Sequence, residues 1–314
     1  MNRREFLKES LSLGGLVATS ALPSFGRGIL EQLSQVHVKI EAGASAPFSV
    51  LHISDTHLAF CDREERPGLM EHARKRTELF GGMQEEALRT SIAWAKKHTD
   101  YLVHTGDIID FVSEANLRKV RECFGDAAGA VTGSAGNHEY QEVCESPKST
   151  GLTEAAFRAR HAAEVDAALP FAAGFSSTVV NGVNFVAIDD AYRRITAEQM
   201  SKFEAEVKKG LPIVLLMHVP PFTERLCEAK TKYFNLTGKY RGPQLADRAK
   251  GSFIGCGFDA PTDDFLRYLR SEKALKGILA GHIHLTAQDR FSPTAMEYVI
   301  GGNFLHAAEE VMVV

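Results

Sequence analysis

Asp55 and His57 stand two apart in Ser-Asp-Thr-His, and His282 and His284 stand two apart in Gly-His-Ile-His. In extended backbone, alternate side chains point the same way, so each pair can reach one ion from one side. Asp107 follows a glycine in Gly-Asp-Ile-Ile-Asp, which ends at Asp110. Asn137, His138 and Glu139 follow Gly136, and His218 closes the apolar run from Ile213 to Met217. Carboxylate, amide and imidazole donors without thiolate suit Zn, Fe or Mn rather than an all-oxygen Ca or Mg cage. The glycines allow the backbone to come close to a ligand at tight turns.

These residues gain meaning from the elements that must position them. Beyond Pro47 the chain alternates short β-type runs with helical periodicity, the signature of α/β architecture. Strands are expected at 48–53, 101–104, 130–132, 213–217, 277–280, 296–300 and 311–314, with a hairpin over 178–188 turning at Asn181-Gly182. Helices are expected at 83–98, at 113–124 with Ser113 as cap, at 153–169, at 196–209 and at 262–273. Ligands of open α/β sheets bind beyond the carboxyl ends of strands, and each of the five blocks falls at such an end. Two segments break the alternation: the charged stretch 59–82 and the stretch 222–261, rich in Lys, Gly and aromatics. Both follow strands that carry these blocks, so they read as irregular walls or lids of the site. The remaining histidines (His37, His52, His72, His98, His104, His161 and His306) read as structural or surface residues.

Taken in order, the five blocks resemble the calcineurin-like metallophosphoesterase family, whose pattern runs Asp-x-His, Gly-Asp, Gly-Asn-His-Glu/Asp, His and Gly-His-x-His. All are present without substitution from Asp55 to His284. The resemblance implies a four-layer αββα sandwich and a two-metal centre of Fe, Mn or Zn. Carried over, Asp55, His57 and His284 would hold one ion, Asn137, His218 and His282 the other, and Asp107 would bridge them. Two cations ~3.5–4 Å apart clamp phosphoryl oxygens and acidify a shared water, which as metal-bound hydroxide would be the nucleophile. His138 would face substrate as transition-state stabiliser or general acid, with Asp110 orienting its ring; Glu139 reads as a structural acid of the turn.

The implied substrate is a small phosphomonoester or phosphodiester. Asp110 is followed by Phe-Val-Ser, not by the Arg-Gly that the protein serine/threonine phosphatase branch carries after its aspartate. The spelling is more similar to the branch holding cyclic-nucleotide phosphodiesterases and bacterial phosphatases. Arg63, Arg66, Arg74, Arg76, Lys230, Lys232, Lys239 and Arg241 could grip a phosphate, and Tyr233, Phe234 and Tyr240 could stack on a base. A solvated surface explains them equally well. Two other readings compete: an exported metal- or phosphate-binding protein without turnover, and a thiol-redox protein suggested by five cysteines. The absence of Cys-x-x-Cys counts against the second.

Composition sets the outer bounds. The chain has 314 residues, 36 Lys and Arg against 40 Asp and Glu, and 44% hydrophobic residues, which fits a globular protein. A net charge of −4 gives no bulk reason to hold a nucleic-acid polymer. Residues 1–27 begin Met-Asn-Arg-Arg-Glu-Phe-Leu-Lys, run uncharged from Ser10 to Gly26 and close on Arg27. That layout is an export signal, similar to the bacterial twin-arginine type, with cleavage after Ala21 or Gly26 both open. It implies the twin-arginine machinery as a partner and a periplasmic or extracytoplasmic protein without membrane insertion once the signal is removed. Residues 28–46 read as a linker and 47–314 as the metallophosphoesterase domain. In an oxidising compartment Cys61, Cys123, Cys144, Cys227 and Cys256 could pair, although Cys123 reads as a buried, inert thiol.

Overall fold

The computed structural model describes residues 33–65, 68–140, 154–238, 242, 244–255 and 259–314. The expected export signal over residues 1–27, together with Cys144, Cys256, Arg66, Lys239, Tyr240 and Arg241, lies outside the described residues. The strands are β1 (Ser34–Ile40), β2 (Phe48–Ile53), β3 (Tyr101–His104), β4 (Val131–Gly133), β5 (Phe175–Val180), β6 (Val183–Ile188), β7 (Ile213–Leu216), β8 (Leu275–Ala280), β9 (Ala287–Arg290), β10 (Met296–Val299) and β11 (Ala307–Val313). The helices are α1 (Leu69–Leu79), α2 (Gln84–His98), α3 (Glu114–Phe124), α4 (Glu154–Ala168), α5 (Ala197–Val207), α6 (Glu224–Thr237), α7 (Leu245–Lys250) and α8 (Ala260–Ser271).

One sheet runs in the order β1-β11-β2-β3-β4 and the other β5-β6-β7-β8-β10-β9. Both are mixed: β2, β3 and β4 are parallel, as are β6, β7, β8 and β10, while β11 runs antiparallel to β2 and β5 to β6. Period-2 alternation explains the layering. Val50 and Val103 of the first sheet meet Phe185, Val214 and Leu216 of the second in a core between the sheets. On the opposite face of the first sheet, Leu51, Ile53 and Leu102 pack under Leu88, Ile92 and Val120 of α2 and α3. On the far face of the second, Val186, Leu215 and Ile278 pack under Phe203, Phe265 and Leu269 of α5 and α8. Helix, sheet, sheet and helix give the expected α/β sandwich.

The expected helices form within one or two residues. Ser113 Oγ accepts the Asn116 N–H as the cap of α3, and Thr196 with Gln199 forms a capping box on α5. Three expectations are corrected. The stretch 59–82 contains α1, in which only Leu69 and Ala73 are buried among charged residues, so its apolar stripe is too narrow to stand out. The stretch 222–261 contains α6 and α7; α6 starts at the Thr223 cap and stops at left-handed Gly238. Part of the expected linker is β1, which lies parallel to β11 from Ser34 to Ile40. Among the described residues no helix is long and apolar enough to cross a membrane.

Candidate metal centre

All five blocks meet at one edge of the sandwich, beyond the carboxyl ends of β2, β3, β4, β7 and β8. The backbone reaches this meeting point differently from the extended geometry expected for the alternate pairs. Asp55, His57, Asp107, His282 and His284 have φ between 52 and 65°. A left-handed non-glycine residue costs ~1–3 kcal/mol and persists only when its surroundings determine it. Here the surroundings are backbone bonds between loops: Asp55 N–H donates to Gly106 O and His57 N–H to Asp107 O, both at 2.9 Å. The close approach also demands glycine, since a Cβ on Gly136 would collide with the Asp107 carboxylate and one on Gly281 with Ser54 Oγ.

Two groups of donors result. In the first, His284 Nε2 lies 3.0 Å from His57 Nε2 and 3.1 Å from Asp55 Oδ1. In the second, His218 Nε2 lies 3.2 Å from Asp107 Oδ2, from Asn137 Oδ1 and from His282 Nδ1. Asp107 Oδ2 is also 3.6 Å from His57 Nε2, so this carboxylate stands between the groups. Donors held by one ion through bonds of ~2.0–2.2 Å sit ~3.0–3.4 Å apart, and these distances match. Asp55 Oδ1 is buried without a hydrogen bond, an unsatisfied acceptor aimed into the cluster. The residues therefore fit a metal centre with nitrogen and oxygen ligands. His138 joins His57 and Asp107 in a third group of metal-capable side chains.

The presented nitrogens are fixed by what holds the other ring atom. His57 Nδ1–H donates to Asp110 Oδ1 at 2.9 Å and His218 Nδ1–H to Thr105 O at 2.7 Å, which turns each Nε2 toward the cluster. Asp110 is in turn gripped by Arg76 of α1, through Nε to Oδ2 at 2.6 Å and Nη2 to Oδ1 at 2.7 Å. His138 does lean on Asp110, but its Nδ1–H donates to the Asp110 backbone carbonyl at 2.7 Å, with Oδ1 farther off at 3.5 Å. The Asp110 carboxylate chiefly orients His57, a correction to the expected role. Glu139 accepts the N–H groups of Asp107, Ile108, Ile109 and Gly136 at 2.7–3.1 Å, the structural part expected of it.

Electrostatics follow from packing ionisable groups without water. Burial pulls the Asp55 and Asp107 carboxyls up, yet the surrounding imidazoles outweigh it and hold both well below the usual range. Burial lowers His57 and His218, but the carboxylates beside them win, raising His57 to about 9 and His218 to about 10. His284 goes the other way, to about 4, because burial dominates. Burial also holds His282 below the usual imidazole range, so the carboxylates favour protons on His57 and His218 but not on His282 and His284.

Three groups at the site carried no recognised motif. Asp190, beyond β6, accepts the His218 and Val219 N–H groups at 2.9 Å and fixes the His218 backbone; its position at a strand end was the available signal. Phe80, just after α1, stacks on the His57 ring at 4.5 Å. Arg193 lies 3.4 Å from His282 Nε2. Of the cations read as phosphate grips, Arg74 pairs with Glu78 on the surface and Arg76 serves Asp110. Lys230 is buried against Tyr233 and Phe234 and donates to Ile283 O at 2.6 Å. His52 and His104 are buried structural residues bonded to Thr105 and Thr56. Cys123 lies in the core, where burial pushes its thiol up to about 11.

Known proteins share this fold. A family model described as calcineurin-like phosphoesterase matches residues 48–286. Among solved structures, a dimetal phosphatase from Danio rerio is similar with a TM-score of 0.50 at 14% identity, covering 84% of this chain and 91% of that one. A 5'-nucleotidase from Candida albicans is similar over 84% of this chain, with a TM-score of 0.39 and 13% identity. The aligned region spans 47% of that nucleotidase, about half its length. Comparison with curated proteins finds no match.

Proposed function

The chain belongs to the calcineurin-like phosphoesterase family, and from that premise we propose that it hydrolyses a small phosphoester at a centre of two transition-metal ions. Asp55, His57 and His284 would hold one ion, Asn137, His218 and His282 the other, with Asp107 shared. When bound, the pair supplies positive charge that neutralises phosphoryl oxygens and lowers the pKa of water. The chain's own residues do the rest. Asp110 and Thr105 keep the His57 and His218 rings turned inward. His138, partly exposed at the mouth, has its Nδ1–H tied to Asp110 O. Its Nε2 is then the atom that can carry a proton to the leaving oxygen.

The single observation supporting this reading is the convergence of seven donors, drawn from five strand ends, at ligand-to-ligand spacing. Asp107→Ala or His218→Ala should abolish hydrolysis of aryl phosphates and phosphodiesters while circular dichroism reports an intact fold. Activity retained in either variant would refute it. The family branch is proposed as that of bacterial phosphatases and phosphodiesterases, on the spelling after Asp110.

Export to an extracytoplasmic compartment is proposed from residues 1–27 alone. Replacing both Arg3 and Arg4 by Lys should leave the protein in the cytoplasm on fractionation; unchanged export of the double variant would remove the twin-arginine assignment.

A further inference from the structure

Inside the apolar layer between the sheets lies a buried acid–base pair. Glu309 of β11 and His52 of β2 stand opposite each other in the antiparallel register. Both are buried, and alternation puts them on the same face as Val50 and Val311 of the core between the sheets. His52 Nδ1 lies 3.2 Å from Glu309 Oε2, and His52 Nε2 lies 2.9 Å from Thr105 Oγ1. A carboxylate only accepts, so Nδ1 carries a proton, and a partner on each nitrogen fixes the ring against rotation and flip. A buried pair of this kind adds little stability over apolar residues of the same size. Its use lies in what it touches.

Thr105 follows β3 and precedes Gly106 and Asp107, both left-handed, with φ of 92 and 55°. Its N–H donates to Ile53 O at 3.0 Å and its hydroxyl meets His52. Its carbonyl accepts His218 Nδ1–H at 2.7 Å and Ser54 Oγ–H at 3.1 Å. The His218 bond turns Nε2 toward the second donor group, 3.2 Å from Asp107 Oδ2 and from His282 Nδ1. Thr105 thus meets His52 with its side chain and His218 with its main chain. The shared carboxylate, Asp107, has anchors of its own. Its N–H donates to Glu139 Oε2 at 3.0 Å, and its carbonyl accepts the His57 N–H at 2.9 Å. A change at Thr105 therefore falls on His218 before it reaches Asp107 or the first donor group.

Resting on the two-metal reading above, we propose that Glu309 and His52 are positioning residues for the ion of the second donor group, acting through Thr105 on the His218 ring. Glu309 holds His52, His52 holds the Thr105 side chain, and the Thr105 carbonyl sets where His218 Nε2 points. Partners beyond the ligands typically change metal affinity or activity 10–100-fold when removed. The first donor group has its counterpart in Asp110 and Arg76 behind His57, so each ion has an acid–base pair behind one of its histidines.

The test isolates each ion by working in the His284→Ala background, which leaves the second donor group complete, and in His282→Ala, which leaves the first. Zn²⁺ affinity is read by chelator competition and stability by thermal unfolding. Thr105→Val keeps the shape and the carbonyl but removes the hydroxyl. It should weaken Zn²⁺ binding ~10-fold or more in His284→Ala and leave it within about twofold in His282→Ala. Thr105→Ser, which restores the hydroxyl, should recover most of the affinity. His52→Phe combined with Glu309→Met should reproduce the Thr105→Val loss without lowering the unfolding temperature, since an apolar pair can replace a buried ion pair at no cost in stability. Equal weakening in both backgrounds, or unchanged affinity in Thr105→Val, would overturn the proposal. A wild type that takes up no Zn²⁺ would instead defeat the two-metal reading. The His218 Nδ1–H resonance of the metal-free protein would still decide the positioning: it should exchange faster with water in Thr105→Val, and an unchanged rate would overturn it.

Discussion

At the scale of single residues, His57, His218, Asp55 and Asp107 each have a second polar atom already committed. His57 illustrates this: its Nδ1–H is tied to Asp110, and Asp110 is tied to Arg76 by two charge-assisted bonds of 2.6 and 2.7 Å. Arg76 bonds Asp110 and Asp110 bonds His57, so Arg76 is a positioning residue acting through two others. Partners of this kind typically change metal affinity or activity 10–100-fold when removed. Arg76→Gln should accordingly lower metal affinity by ~10-fold or more in chelator competition, and Arg76→Lys, which lacks the planar fork, should restore only part. Chelator titrations of Arg76→Gln that superimpose on wild type would show that Asp110 holds His57 unaided.

At the scale of elements, the divide between what the sequence discloses and what it hides has physical causes. The convergence of the seven donor residues was legible because polar residues beside glycine at the ends of apolar runs have few structural uses, and five such ends recur in one chain. Their left-handed backbone was not legible: alternate spacing suggested extended pairs, whereas φ near 54° at Asp55 and His57 aims them by a turn. Asp190 escaped notice because its neighbours carry no glycine or histidine, although Ile188 ends a fully buried strand two residues earlier. Helix α1 was masked by its charges, visible afterwards as the Glu71–Lys75 and Arg74–Glu78 pairs one turn apart. Helix α6 was masked by one residue: its buried stripe is Leu226, Lys230 and Phe234, four apart, with a lysine in the middle. That lysine reaches the Ile283 carbonyl, so the residue that spoils the pattern is the one that joins the helix to the site. The strand β1 carries Val36, Val38 and Ile40 in alternation, a signal present but short.

At the scale of the whole molecule, two mixed sheets back to back give a rigid edge on which five loops end. Three apolar layers hold them: one between the sheets and one under the helices on each side. That packing sustains five left-handed donor residues that no local preference would maintain. Helices α1 and α6, inserted after β2 and β7, then reach back over the edge with Arg76 and Lys230. The carboxylates and imidazoles brought together at that edge form groups that could hold metal ions.

The most direct test is therefore metal stoichiometry by elemental analysis of the folded protein after loading and desalting, in wild type, His284→Ala and His282→Ala. Two equivalents per chain are expected in wild type and the loss of one in each variant, with the fold intact by circular dichroism. A wild type that retains no metal, or variants that retain as much as wild type, would contradict it.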